Sequence, residues 1–410
     1  MNKISATFTS IKARFNDYVS KNQFLFLTLI VIFIGALWRL WGMNSFKGFS
    51  ADEIILLKSA KTLLANHWQV SADQIGQSVY LYKLAAVGTL SSFNPLIFRS
   101  FAALVGVATS LFFFLFVRAW FNKQVALIST LLMAVNTTML ILSQTINPTM
   151  MILALQLAIL YVATIAFRDK NIWLFLLTSL LSCVGLFLSP LFIVTGILIF
   201  FASVAMIANN PKVFLLYKYE LLTLVIPITL GIIGYLILSA SQISHLLSYI
   251  SPGSIVKFYL NVGANILTLF AGSQFVSSIN VASEPILDPF VAVSSICGIV
   301  YAFFHSGKRK HQFVLLWLLF GAVVISLSAT QNVSNIALIL PAIFILSAIM
   351  LDYLLTSWVR TFPYNRSAKV AMTLIFSIFL SLSVYYNFQK YFLAWQGNPT
   401  VQNQYKTTLK

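Results

Sequence analysis

The chain has 410 residues, 59% of them hydrophobic and 9% charged, with a formal net charge of +17. A soluble domain carries about 25% charged residues, so this composition excludes a water-solvated globule and requires lipid. The basic excess sits in short loops with no aromatic-plus-basic module, which points to membrane topology and anionic headgroups and not to nucleic acid.

Apolar runs of about 20 residues, each able to cross a roughly 30 Å hydrocarbon layer as a helix, recur along the chain. They predict spans at 24–43, 96–119, 124–143, 148–167, 172–189, 190–208, 220–240, 287–305, 312–329, 334–354 and 368–388. The Ser189-Pro190 junction is either a hairpin between two spans or a break in one helix. Runs such as Leu191 to Ile207 lack the alternation of a β-barrel strand. The expected fold class is an all-α polytopic membrane protein with about 10–11 transmembrane helices and interfacial helices in the first long outer loop. The first run is too long for a signal peptide, and no small-residue cleavage site follows it. Positions 1–410 form a single membrane domain, with a core at 24–165 that includes the outer loop 44–95. A second outer loop covers 241–286, and a tail at 389–410 falls on the outer side.

Orientation follows from Lys and Arg. Lys3, Lys12, Arg14 and Lys21 share one side with Arg118, Lys123, Arg168, Lys170, Lys212 and Lys218. Lys308-Arg309-Lys310, Arg360, Arg366 and Lys369 join them there, which makes that side cytoplasmic. The inner loops are too short to bind a nucleotide sugar and contain no Gly-rich phosphate loop, so chemistry belongs outside.

The first outer loop carries Asp52 and Glu53 just past the first span. An acid at the bilayer centre costs about 2.5–3.5 kcal/mol, so these belong at the interface. Ser50-x-x-Glu53 is a capping box. Leu56, Leu57, Ala60, Leu63 and Leu64 form an apolar stripe opposite Lys58, Ser59, Lys61 and Thr62, which predicts a surface helix. Positions 79–90, with Tyr80, Tyr82 and Lys83, predict a second one, and Arg99 opens the second span. The turn Ser143 to Pro148 offers Gln144 and Asn147 for hydrogen bonds to a sugar or acceptor, beside its plain reading as a helix-breaking Asn-Pro. The second outer loop holds His245, Tyr249, Lys257, Tyr259, Asn265, Gln274 and Glu284, with Asp288 beyond it. It reads as interfacial helices able to cover a site. Asp352, near the inner end of the tenth span, is expected to be solvated or paired with Arg360. Cys183 and Cys297 read as small core residues, and the histidines are too scattered for a metal site.

Taken in order, Arg39, Asp52-Glu53, Tyr80-Leu81-Tyr82 and Phe98-Arg99-Ser100 resemble the GT-C membrane glycosyltransferases. The pattern resembles in particular the group that includes protein O-mannosyltransferases and the aminoarabinose transferase of lipid A. Ser143-Gln144 and Leu338-Ile339-Leu340-Pro341-Ala342 are similar to later family motifs. The chain departs from the pattern at Gln77-Ser78-Val79, where members often have Pro-Pro, and at Asn147, near a second acid of the family.

The resemblance implies a cell-envelope glycosyltransferase, mannosyltransferase-like, in the cytoplasmic membrane of a prokaryote, with its active face outward. Its partners would be a polyprenyl-phosphate-linked sugar, membrane lipids and a protein, lipid or glycan acceptor. Asp52 would be the base, with Glu53 capping or assisting. Arg39, Lys83 and Arg99 would meet the phosphate. Tyr80, Tyr82, Gln144, Asn147, His245 and Lys257 would bind substrate. A divalent metal, Mg or Mn, stays open. The alternatives are a flippase for lipid-linked glycan, or a catalytically inactive scaffold on the same fold.

Overall fold

In a computed structural model, residues 23–41, 43, 46, 48–192, 194–199, 218–238, 255–272, 284–327 and 333–407 are described. Among them the chain forms α1 (Gln23–Leu40), α2 (Ala51–Ala65), α3 (Ser78–Ser91), α4 (Pro95–Trp120) and α5 (Lys123–Val135). Next come α6 (Thr137–Leu142), α7 (Pro148–Asp169), α8 (Ile172–Leu186), α9 (Lys218–Leu238) and α10 (Ile255–Phe270). The last are α11 (Pro289–Phe304), α12 (Arg309–Leu327), α13 (Val333–Ile336), α14 (Leu340–Thr361), α15 (Arg366–Gln389) and α16 (Pro399–Gln404). Among the described residues, five helices are long and apolar enough to cross a membrane: α4, α7, α12, α14, and α15 with its extension to Gln396. Six shorter apolar helices accompany them. The chain is an all-α, multi-pass membrane protein.

Local chemistry sets the boundaries. Asn94 caps α4 by accepting from the Leu96 N–H at 2.9 Å, and Pro95 occupies the first turn, where its missing N–H costs nothing. Asn147 caps α7 in the same way through the Thr149 N–H, at 2.8 Å, with Pro148 next. The single span expected at 124–143 is two helices. Asn136 ends α5 and caps α6, its side chain accepting from the Met139 N–H at 3.2 Å, because a short amide competes with the helical ladder. The span expected at 334–354 begins later. A single turn, α13, precedes α14, and Pro341 sits in the first turn of α14. At Ser189-Pro190 the chain breaks: α8 ends at Leu186, and a 3₁₀ turn spans Pro190–Phe192.

Exposed apolar side chains such as Phe33 on α1, Ile237 on α9, Phe303 on α11 and Leu374 on α15 form a surface that only lipid satisfies. Interior helices meet through small residues. A Cβ on Gly298 of α11 would lie 2.2 Å from the Leu346 carbonyl oxygen of α14, so these two backbones touch. That contact turns the neighbouring Cys297 outward. Cys297 is exposed, against the expectation of a core residue, whereas Cys183 is half-buried and donates to the Pro227 carbonyl at 3.0 Å.

The bundle has two distinct ends. At the basic end, where Asp352 is expected to be solvated or paired with Arg360, Asn122 donates to it at 2.8 Å. The rings of His305 and His311 lie 6.5 Å apart beside Tyr301. At the acidic end, α2 packs on α3 and α3 on α4. Leu57, Ala60 and Leu63 of the expected stripe are buried, so α2 lies on protein and not merely on the membrane surface. The tail also folds there. After α15 a π-helical turn, Lys390–Gln396, buries Tyr391 and Trp395, and Phe49 pairs with Thr407 through an isolated β-bridge.

Candidate active site

The capping box at the start of α2 is complete. The Glu53 N–H donates to Ser50 Oγ at 3.3 Å, and the Ser50 N–H donates to Glu53 Oε2 at 2.9 Å. The other oxygen, Oε1, accepts from the Ile146 N–H in the α6–α7 turn at 2.8 Å. Arg99 Nη2 lies 3.8 Å from Oε2, and both side chains are buried. Burial pushes the Glu53 carboxyl above its ordinary range, while Arg99 and the two amide donors pull it back.

Arg99 is itself fully engaged. Its guanidinium donates to the Phe46 carbonyl, and to the Gly48 carbonyl at 2.6 Å, and lies 5.3 and 5.2 Å from the ring centroids of Phe46 and Tyr405. Glu53 and Arg99 therefore hold the first loop to the C-terminal segment. Arg99, expected among the phosphate ligands, has its cationic fork turned to backbone and is 1% exposed.

Arg39 is equally buried. It donates to the Gly35 carbonyl at 2.9 Å and, more loosely, to the Ala134 carbonyl and Ser110 Oγ. The Ala134 carbonyl lies at the C-terminus of α5, whose partial negative charge offsets the cation. Gln144 donates to the carbonyls of Arg39 and Trp41, at 2.5 and 3.3 Å, and is buried. Asn147 is occupied as the α7 cap.

Asp52 differs from these. It lies in the first turn of α2 and is exposed, one residue from the anchored Glu53. On α3, Lys83 is half-buried, with its ammonium 4.9 Å from the Tyr80 ring and 4.8 Å from the Phe101 ring. Burial lowers its pKa to about 8. Tyr80 is buried with its hydroxyl unpartnered, and burial, then the nearby Glu53, raise its phenol well above the ordinary value. Tyr82 stacks on Trp68 at 6.2 Å and donates to its carbonyl at 2.9 Å. Lys257 is exposed on α10. His245 lies outside the described residues.

Neither a protein-family model nor a curated protein sequence matches the chain. Solved structures do. It is similar to the archaeal oligosaccharyltransferase AglB from Archaeoglobus fulgidus, in complex with an inhibitory peptide and a dolichol-phosphate. The identity is 13% and the TM-score 0.60, over 95% of this chain and 56% of that one. It is also similar to ArnT from Cupriavidus metallidurans bound to undecaprenyl phosphate, at 13% identity and a TM-score of 0.51, over 93% of this chain and 76% of that one. The chain has the GT-C fold. It spans just over half the length of the archaeal oligosaccharyltransferase, and at this identity the likeness is one of fold.

Within the GT-C fold, a second polar group joins the same end of the bundle, and sequence reasoning gave it no role. Asp288 caps α11 through the Val291 N–H at 2.9 Å and accepts from Ser383 Oγ and Asn387 Nδ2, each at 2.9 Å. Asn387 also accepts from the Thr137 N–H at 2.9 Å, and Lys390 donates to the Pro285 carbonyl. The visible signal was polar residues at 383, 387 and 390, one face of a helix at its end. Beside this knot, α11, α14 and α15 line an apolar cavity of about 690 Å³ that reaches Asp288, Tyr386 and Gln389.

A divalent metal does not fit the described residues. No three His, Cys, Asp or Glu side chains group together among them, and both Glu53 oxygens already accept amide protons. No step below is routed through one.

Proposed function

We propose that this GT-C chain is a glycosyltransferase. It moves a sugar from a polyprenyl-phosphate carrier to a protein, lipid or glycan acceptor on the non-cytoplasmic face of a prokaryotic cytoplasmic membrane. The observation that carries the reading is Asp52, an exposed carboxylate on a helical turn that is fixed from behind by Glu53, Ile146 and Arg99. A base held rigidly and left open to an acceptor is what the transfer step requires.

In that step the acceptor hydroxyl oxygen attacks the anomeric carbon and its proton passes to the Asp52 carboxylate. The bond from that carbon to the phosphate oxygen breaks, and polyprenyl phosphate leaves with the bonding pair. Lys83 meets the charge on the phosphate. Its lowered pKa leaves it protonated at neutral pH, and an arriving phosphate raises it again. Tyr80 orients Lys83 across its ring, and Tyr82 holds the α2–α3 connection through Trp68. Arg39, Arg99 and Gln144 act as positioning residues. The apolar cavity beside Asp288 supports a substrate with a long hydrocarbon chain. The likeness to proteins solved with dolichol-phosphate and undecaprenyl phosphate supports the same carrier class.

Mass spectrometry of the purified protein tests the reading. A co-purifying polyprenyl-phosphate sugar that is consumed when acceptor is added is the expected result. A lipid-linked glycan that crosses a vesicle bilayer unconsumed would replace the enzyme with a flippase, and no bound carrier at all would favour the scaffold.

A further inference from the structure

At the basic end, the ends of α4, α7 and α12 enclose a second cavity, of about 340 Å³, within the range of about 300–1,000 Å³ typical of ligand pockets. Its wall is apolar, built from Phe116 and Trp120 of α4, Leu160 and Phe167 of α7, and Phe313 of α12. Its mouth is cationic. Arg309 and Lys310, the first two residues of α12, line it and are exposed, and Lys308 precedes them. No Asp or Glu lines the cavity, and neither cation pairs with a carboxylate among the described residues. Trp120 is fixed in the wall: its indole N–H donates to Thr164 Oγ1 at 2.5 Å, and its ring lies 4.5 Å from Phe313.

We infer that this cavity is a binding site for an anionic glycerophospholipid of the leaflet facing the Lys308–Lys310 loop. One acyl chain fills the apolar wall, and the phosphate sits against Arg309 and Lys310. A soluble anion would use the cations and leave the wall empty. A neutral lipid would use the wall and leave two cations without a counter-charge. Only a molecule with both parts, arriving from the bilayer, satisfies the whole surface. The site lies at the opposite end from Asp52 and is independent of the sugar-transfer reading.

Trp120 supplies the reporter. The full chain is placed in phosphatidylcholine nanodiscs doped with phosphatidylglycerol or phosphatidylcholine brominated on the acyl chains. Tryptophan fluorescence is then recorded for the wild type and Trp120→Phe. Brominated phosphatidylglycerol is expected to quench a component that Trp120→Phe lacks, at mole fractions where brominated phosphatidylcholine does not. In the double variant Arg309→Gln/Lys310→Gln the apparent affinity should fall on the order of 30-fold, each basic side chain contributing about fivefold near an anionic surface. The charge-preserving pair Arg309→Lys/Lys310→Arg should keep it, which separates lost charge from lost fold. Equal quenching by the two lipids, no Trp120-dependent component, an unchanged Gln pair, or loss of binding in the charge-preserving pair would each overturn the assignment.

Discussion

Glu53 Oε1 accepts the backbone N–H of Ile146 at 2.8 Å, so a side chain in the first loop closes the turn between α6 and α7. The two segments are 93 residues apart in sequence, and this one carboxylate sets where Asp52 stands relative to the bundle.

Removing that carboxylate should unfold the loop end before it affects chemistry. Glu53→Ala leaves Arg99 buried without its acid and two amides without an acceptor, a loss of about 3–5 kcal/mol. Glu53→Gln keeps the shape and should cost less, about 1–3 kcal/mol. Arg99→Lys, which lacks the planar fork, should also destabilise, and the double variant should be less harmful than the sum of the singles. Thermal unfolding in detergent checks all four.

Asp52 predicts the opposite pattern. Its side chain is exposed, so Asp52→Asn should leave the unfolding midpoint nearly unchanged, within about 1 kcal/mol for a first-turn acid. Sugar transfer should fall by about 10²–10⁴-fold if Asp52 is the base. A transfer assay in purified membranes beside a melting curve reads both. Full activity in Asp52→Asn would remove the assignment.

Lys83 gives a pH signature. Its folded pKa is about 8, against an ordinary value of 10.5. Binding of a polyprenyl-phosphate probe should therefore weaken as pH rises through about 8, and Lys83→Met should flatten that step. Stability should move the other way. The unfolded chain binds the extra proton between about 8 and 10.5, so this residue's contribution to stability rises with pH across that window. Titrations of probe binding and of melting temperature, wild type against Lys83→Met, separate the two trends.

Gly298 predicts a packing effect with no role for charge. A methyl there would meet the Leu346 carbonyl at 2.2 Å, and backbone yields little. Gly298→Ala should lower stability by about 1–3 kcal/mol, and Gly298→Leu should reduce the folded fraction further, as read by size-exclusion profiles. Cys297→Ser, at the exposed neighbouring side chain, should be nearly neutral.

Much of the site was legible because its signals are local. Ser50-x-x-Glu53 lies within one helical turn, and the capping box it spells out is formed. Asn147 caps α7 and Pro148 opens it, as their chemistry dictates. The break at Asn136 was hidden, since one amide inside an apolar run carries no periodicity signal; its cap of the Met139 N–H is local, but its other partner, the Ile286 carbonyl, is met only once the helices pack. The same holds for Arg39 and Arg99. Their placement near one membrane face was readable, but their turn toward backbone carbonyls was not.

The sequence alone determined that this is a helical membrane protein, because hydrocarbon rejects unpaired backbone and the length and spacing of apolar runs record that constraint. It also determined which end would collect acids and which would collect basic residues. Only the tertiary structure decided that Glu53 and Arg99 are buried against each other while Asp52 stays exposed and Lys83 half-buried. That division depends on contacts between residues far apart in the chain, such as Glu53 with Ile146, and burial, not residue type, separates the enclosed charges from the exposed one.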